Sequence, residues 1–308
     1  MDNQKPVVRD MKIECRFKPS LANIFKKEIE EIGFDTSKLV TDEDVLHSYC
    51  SYSHRLLEKR PRTIHKADTF VCPKEVKEGL AWLESKIEKG ESVNQHLNTT
   101  IQKDKLDGLL YDWGIHHLHL GLKYEATGFV ERTGPVLFAV FRPNDVYFVD
   151  VRDHKGWSDK GLLEIINRNW PELLSLYRME GVKPETSFTE EDITSLRKGG
   201  VNTFHELSDG NSYLSMGGGI TSAGTSQEAV RTYIEIVRML GRIEKQIRDN
   251  SKYLVSHVMP KNHPFRDRNH FVFVCRRVGD EIRFYDVVNN NYWQTSWQIL
   301  PLKKKFGL

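Results

Sequence analysis

The run "VLFAVFRPNDVYFVDV", residues 136–151, decides the fold. Two apolar segments flank "RPND", whose Pro143, Asn144 and Asp145 carry turn chemistry. Both segments are short and rich in Val and aromatic residues, so they read as paired antiparallel strands. Just upstream, "IHHLHLGL" (115–122) has the same β-like character, and the three runs make a meander. Between them, "ATGFVERTG" (126–134) reads as a further strand or a wide hairpin.

Outward from the meander the apolar period changes to that of a helix. "SDKGLLEIINRNWPELLSLYRMEG" (158–181) predicts two helical pieces, one capped by Ser158 and one begun by Pro171. A shorter helix is expected over 103–111. Near the start, "MKIECRF" alternates like a strand, and Ser20 opens a helix whose Leu21, Ile24, Phe25, Ile29 and Ile32 share a face until Gly33 stops it. Thr41 caps another helix running to about Leu57. Pro73 begins a third, with Val76, Leu80, Leu83 and Ile87 on one face and Gly90 at its end.

Beyond the polar boundary "GVKPETSFTEEDI" (181–193), "TFHELSDGNSYLSM" turns at "SDGN" as a hairpin. A long helix to about Asn250 follows, opened by a Thr225/Glu228 capping box. Val230, Ile234, Val237, Leu240 and Ile247 give it an apolar stripe. "HFVFVCRRVGDEIRFYDVV" closes the pattern as a hairpin with "GD" at its turn. The chain therefore reads as α+β, in three regions. Residues 1–100 are mainly helical, 101–182 hold a central antiparallel β-meander flanked by helices, and 183–308 combine C-terminal hairpins with one long helix.

With 39% hydrophobic residues in 308, the chain has enough apolar content for a folded core. Its apolar runs are too short to cross a bilayer, and residues 1–17 lack a signal-peptide core, so no membrane association and a cytoplasmic location are expected. The four cysteines form no C-x-x-C pair, which argues against a structural zinc site or a disulfide framework. Formal net charge is only +2, so any nucleic-acid contact must come from local patches. "HRLLEKRPRTIHK" (54–66) supplies one, with Arg55, Lys59, Arg60, Arg62 and Lys66 against Glu58 alone. Arg238 and Arg242 on the long helix, and Lys303, Lys304 and Lys305, supply others. A solvated basic loop is the alternative for 54–66, and solvated arginines on the helix surface are the alternative for Arg238 and Arg242.

Three of the 12 histidines crowd "IHHLHL". On a strand His117 and His119 share one face, while His116 points the other way with Leu118 and Leu120. Imidazole moves protons near neutrality, and arginines stabilise charge on phosphoryl oxygens. His117 and His119, with Arg142, Arg152, His154 and Lys155 from the neighbouring strands, are therefore candidates for metal-independent RNA cleavage. His117 and His119 with Asp150 are instead candidate ligands for a divalent metal, the one cofactor contemplated. Core-facing histidines beside solvated strand-end charges explain the same pattern without chemistry.

The run "GLLYDWGIHHLHLG … ERTGPVLFAVFRPNDVYFVDVRDHKGW" resembles, over residues 109–157, the helix-plus-meander of RelE/ParE-type bacterial toxins. The resemblance implies a ribosome-dependent mRNA endonuclease of toxin or antiviral-defence type, and places Arg142, Arg152, His154 and Lys155 at cleavage positions. No full-length family match accompanies it, and most of the chain lies outside it. "DHK" (153–155) also fits half of a PD-(D/E)xK nuclease site, with Glu131 or Asp145 as the upstream carboxylate holding metal.

The glycines of "SMGGGITSAGTSQE", Gly217, Gly218 and Gly219, are a candidate phosphate loop at a helix start. Neither a Walker A nor a dinucleotide fingerprint is present, and a flexible connection is the alternative. The preferred expectation is an endoribonuclease with RNA as partner, no cofactor and a possible protein regulator. A metal-dependent hydrolase and a non-enzymatic nucleic-acid or protein binding module are the alternatives.

Overall fold

The computed structural model describes residues 12–103, 106–153, 158–182, 188–250, 270–299 and 301–306. The chain divides into two compact units, neither continuous in sequence. One comprises Met1–Glu30, Thr36–Tyr49 and Thr232–Pro301, and the other Glu31–Asp35, Cys50–Arg231 and Leu302–Leu308. The three regions drawn along the sequence follow chain order, whereas these units interleave. Among the described residues, no helix is long and apolar enough to cross a membrane.

The smaller unit begins with β1 (Lys12–Arg16) and α1 (Phe17–Glu31). The helix starts earlier than Ser20 because Pro19 is tolerated in a first turn, where no N–H is needed. Ser20 instead turns its hydroxyl back to the Arg16 carbonyl, at 2.6 Å. Helix α2 (Asp42–Arg55) is capped as expected, Thr41 and Asp44 exchanging side-chain and backbone bonds of 2.9 and 3.1 Å.

To keep chain order, the elements of the larger unit come next. They are β2 (Thr63–Lys66), α3 (Lys77–Lys89), α4 (Gly108–Trp113), β3 (His116–His119), β4 (Pro135–Phe141) and β5 (Asp145–Asp153). There follow α5 (Gly161–Asn169), α6 (Glu172–Ser175), β6 (Arg178–Met179), α7 (Glu190–Lys198), β7 (His205–Glu206) and β8 (Ser212–Tyr213). Helix α8 (Gln227–Asp249) leads to β9 (His270–Val278), β10 (Glu281–Asp286), β11 (Asn291–Gln298) and α9 (Leu302–Phe306).

In the smaller unit the sheet runs β1-β9-β10-β11. Strands β9 and β10 form the expected hairpin, with Gly279 at φ 59° in its turn, and β1 joins β9 in parallel. Phe17, Leu21, Phe25 and Ile29 of α1 are buried, and Phe17 meets Phe284 edge-on. On α8 the buried positions of this unit are Ile236, Leu240, Ile243 and Ile247. Ile234 is 40% exposed, so the stripe expected through Val230 and Ile234 is rotated away from the core. The cap of α8 is Ser226, whose hydroxyl accepts the Ala229 N–H; Thr225 pairs with Thr221 instead.

The larger unit is built on a mixed sheet of order β2-β5-β4-β3. The meander β3-β4-β5 is antiparallel as expected, and β2 adds to β5 in parallel. Strand β2 lies inside the basic segment 54–66, for which no strand was expected. "ATGFVERTG" forms no strand, only a bridge between Tyr124 and Val130. The short helix expected over 103–111 is shifted to α4, where Asp107 accepts the Leu110 N–H as N-cap. Ser158 does not cap α5: Asp159 takes the Gly161 N–H, and Ser158 bonds Thr194.

Helix α3 ends at Gly90 in the left-handed conformation (φ 70°), and Val76, Leu80, Leu83 and Ile87 are buried as its spacing predicts. Gly79 comes so close to β3 that a Cβ there would lie 1.7 Å from the Leu120 carbonyl oxygen. On the opposite sheet face, Ile115, Val136, Phe138 and Val140 form one core with Leu162 and Ile166 of α5 and with Trp113. Each such aliphatic side chain contributes about 1.5–3 kcal/mol on burial.

Candidate functional site

Directly opposed residues of paired strands share a sheet face. His117 opposes Phe138, which opposes Asp150; His119 opposes Val136, which opposes Arg152. His117, His119, Asp150 and Arg152 are therefore on one face. His116, opposite Ala139, is on the other, where its ring meets Phe141 edge-on at 5.4 Å. The parity read from the sequence holds.

The assembled chemistry does not follow it. All three imidazoles are at least nine-tenths buried. His119 accepts the Thr133 N–H at Nδ1, and its ring stands 6.4 Å from that of His117. Asp150 lies two strands away, beyond Phe138, with one oxygen on Arg152 at 2.5 Å and the other on the Val151 N–H at 2.8 Å. Asp150 therefore does not complete a metal site with His117 and His119. Among the described residues, no group of three or more His, Cys, Asp or Glu is placed to hold a metal ion.

Arg152 binds both Asp150 and Asp159. Arg142 follows the far end of β4, six residues beyond the Val136 level of Arg152, or about 20 Å along a strand. Arg142 and Arg152 thus do not converge. His154 and Lys155 lie outside the described residues. Asp145 and Asp153 bound opposite ends of β5, about 26 Å apart, so Asp145 cannot serve a site at "DHK". Glu131 accepts the Leu122 N–H instead.

What does converge is a cleft of about 560 Å³ on the His116 side of the larger unit. Five cationic side chains line it, Arg60, Arg62, Arg142, Arg231 and Lys305, against two carboxylates, Glu58 and Glu228. Phe141 and Tyr177 present half-exposed rings, and His54 and His116 complete the polar lining. Burial lowers the Lys305 ammonium, whose Nζ donates to the Ser53 carbonyl and hydroxyl, both at 3.0 Å.

Burial pushes His116 down to about 3, despite the favourable influence of Asp107 and the nearby Arg55 backbone, so it is neutral at pH 7. Among the described residues, neither ring nitrogen meets hydrogen-bond geometry with a protein partner. His54 is lowered for the same reason, burial outweighing the pull of Glu228.

The basic segment divides by role. Arg60 enters the cleft and donates to the Pro143 carbonyl at 3.3 Å. Arg62 donates to the carbonyls of Arg142, Glu58 and Arg60 at 2.9–3.2 Å, so it clamps the cleft wall. Arg55 is buried, 3.9 Å from Asp107, and Lys66 pairs with Glu84 at 2.8 Å. Lys59 is exposed outside the cleft lining. Arg238 and Arg242 are exposed on α8, within the other unit.

The glycine loop reaches the cleft but does not cradle phosphate. Gly217, Gly218 and Gly219 donate their amides to the carbonyls of Asp112, Ser215 and Tyr111 at 2.7–3.0 Å. A Cβ on Gly217 would lie 2.1 Å from the Leu110 carbonyl oxygen, so this glycine permits close packing onto α4.

Behind the loop is a buried network missed in the sequence. Asp112 accepts from Arg197 Nε at 2.9 Å and from the Ser215 hydroxyl at 2.6 Å. Trp113 donates to His205 Nε2 at 3.0 Å while its ring lies 4.2 Å from the Arg197 guanidinium. Burial alone would raise Asp112, but His205, Arg197 and Ser215 together hold it below the usual range. A second cavity of about 310 Å³ lies on the His117 side, lined also by Asp107, Thr194, Arg197 and Lys198. A gap of about 10 Å³ is edged by Arg55, Asp107, His116 and His117.

No protein-family model, curated protein or solved structure matches the chain.

Proposed function

We propose that this protein acts on nucleic acid, with single-stranded RNA as its substrate, and that the phosphate backbone binds in the cleft beside His116. The observation that carries the reading is the joint presence of His116 and Arg142 in one cation-rich cleft. Cations there offset backbone charge, and the Phe141 and Tyr177 rings offer faces for stacking bases. A neutral imidazole can take the proton of a ribose 2′-hydroxyl as it attacks the adjacent phosphorus; the imidazolium so formed then returns that proton to the 5′-oxygen as its bond to phosphorus breaks. Arg142 and Arg60 stabilise the charge on the phosphoryl oxygens. Of the positions that the resemblance to RelE/ParE-type toxins implies for cleavage, Arg142 lies in this cleft.

The deep burial of His116 favours a second reading, a binding module that holds RNA without cutting it. One experiment separates the two. End-labelled single-stranded RNA is titrated with wild type, His116→Gln and Arg142→Ala, with binding read by anisotropy and products on a denaturing gel. Cleavage abolished by His116→Gln, with binding retained, supports the nuclease. Tight binding without products supports the module. Absence of both in the wild type sinks the proposal.

A further inference from the structure

The cavity on the His117 side shares no lining residue with the cleft, and it is large enough to hold a ligand of its own. Its volume of about 310 Å³ sits at the lower end of small-molecule sites, roughly 300–1,000 Å³. The gap of about 10 Å³ beside His116 and His117 admits at most a water.

The charges around the cavity are mostly matched. Asp107 accepts the Leu110 N–H and faces Arg55 at 3.9 Å, and Arg197 is held by Asp112 at 2.9 Å. Lys198, next to Arg197 on α7, is exposed at the lining and makes no ion pair among the described residues. Among the described residues, that leaves one positive charge in excess. Leu106 and Leu109 give an apolar wall, while Asn98 and Thr194 supply hydrogen-bonding groups.

A fitting molecule is small and carries one anionic group for Lys198. It has a flat, largely apolar body for the leucines and polar edges for Asn98 and Thr194. We propose that this cavity binds a nucleoside monophosphate, with its phosphate toward Lys198 and its base against Leu106 and Leu109. The assignment stands apart from RNA binding in the cleft, since Lys198 takes no part in the cleft.

The test is calorimetric titration of the full chain with adenosine 5′-monophosphate, adenosine and inorganic phosphate, for wild type and Lys198→Ala. Expected is one-to-one binding of the monophosphate, weaker binding of adenosine and the weakest for phosphate alone. Lys198→Ala weakens the monophosphate about tenfold, the loss of one charged hydrogen bond. It leaves adenosine affinity and RNA binding unchanged. The proposal is overturned if the monophosphate shows no saturable one-to-one binding, if its affinity survives Lys198→Ala, or if adenosine binds as tightly. None of these outcomes depends on whether RNA binds or is cut.

Discussion

Replacing Asp112 by Asn tests whether the ion pair behind the glycine loop holds the larger unit together. The substitution keeps the side-chain volume but removes the charge facing Arg197, which is 5% exposed and 2.9 Å from the carboxylate. Removing one partner of a buried pair costs about 3–5 kcal/mol, because the remaining charge stays out of water. Arg197 also lines the 310 Å³ cavity, where solvent can approach, which favours the lower end. The Ser215 hydroxyl loses a charged acceptor at 2.6 Å, worth about 1 kcal/mol beyond a neutral bond. The expected loss is therefore about 4 kcal/mol, a large share of a domain stability of roughly 5–15 kcal/mol. Urea unfolding at pH 7 reads it, followed by tryptophan emission, since Trp113 stacks on the Arg197 guanidinium. Asp112→Leu combined with Arg197→Met removes both charges, and should be more stable than the sum of the single losses by at least about 2 kcal/mol. A cost below about 1 kcal/mol for Asp112→Asn, or strict additivity in the double variant, would refute the reasoning.

Other consequences are equally direct. His116 and His96 are lowered by burial to about 3 and about 4, so below pH 6.5 the unfolded chain takes up protons that the folded chain does not. Stability should fall with pH in that window, by about 2.7 kcal/mol per histidine at pH 4.5. His116→Gln should flatten the slope of urea midpoint against pH between 6.5 and 4.5, and an unchanged slope counts against it. Gly79→Ala should lower the melting temperature by several degrees or abolish soluble expression, because the new methyl group meets the Leu120 carbonyl; wild-type melting would contradict that contact. Arg142→Ala should weaken RNA binding and reduce the slope of log affinity against log salt by about 0.7, whereas an unaltered slope removes Arg142 from the phosphate path.

The meander was legible because its strands are continuous apolar runs divided by Pro143 and Asn144, and Thr41, Pro73 and Gly90 marked helix ends by their own backbone preferences. Strand β2 was not legible. Its four residues, "TIHK", alternate partly exposed side chains and gain their order only by pairing with β5. The stripe of α8 was misphased because apolar residues occupy two neighbouring faces, and only tertiary contact chooses between them. In the site, strand parity placed His116 opposite His117 and His119 correctly. Which face meets cations depends on Arg60, Arg142 and Lys305, brought together from distant parts of the chain, and no local pattern records that.

The interleaving of the two units bears on synthesis. The Cys275 N–H donates to the Ser20 hydroxyl across 255 residues, and Asn94 donates to the Lys305 carbonyl across 211. At about 5–20 residues per second, Ser20 waits roughly 13–50 s for that partner to be made. Until then β1 has no neighbour in its sheet, and the cleft lacks its last ammonium group. A ribosome stalled after residue 231 would carry a nascent chain with the meander complete and the cleft lined except for Lys305.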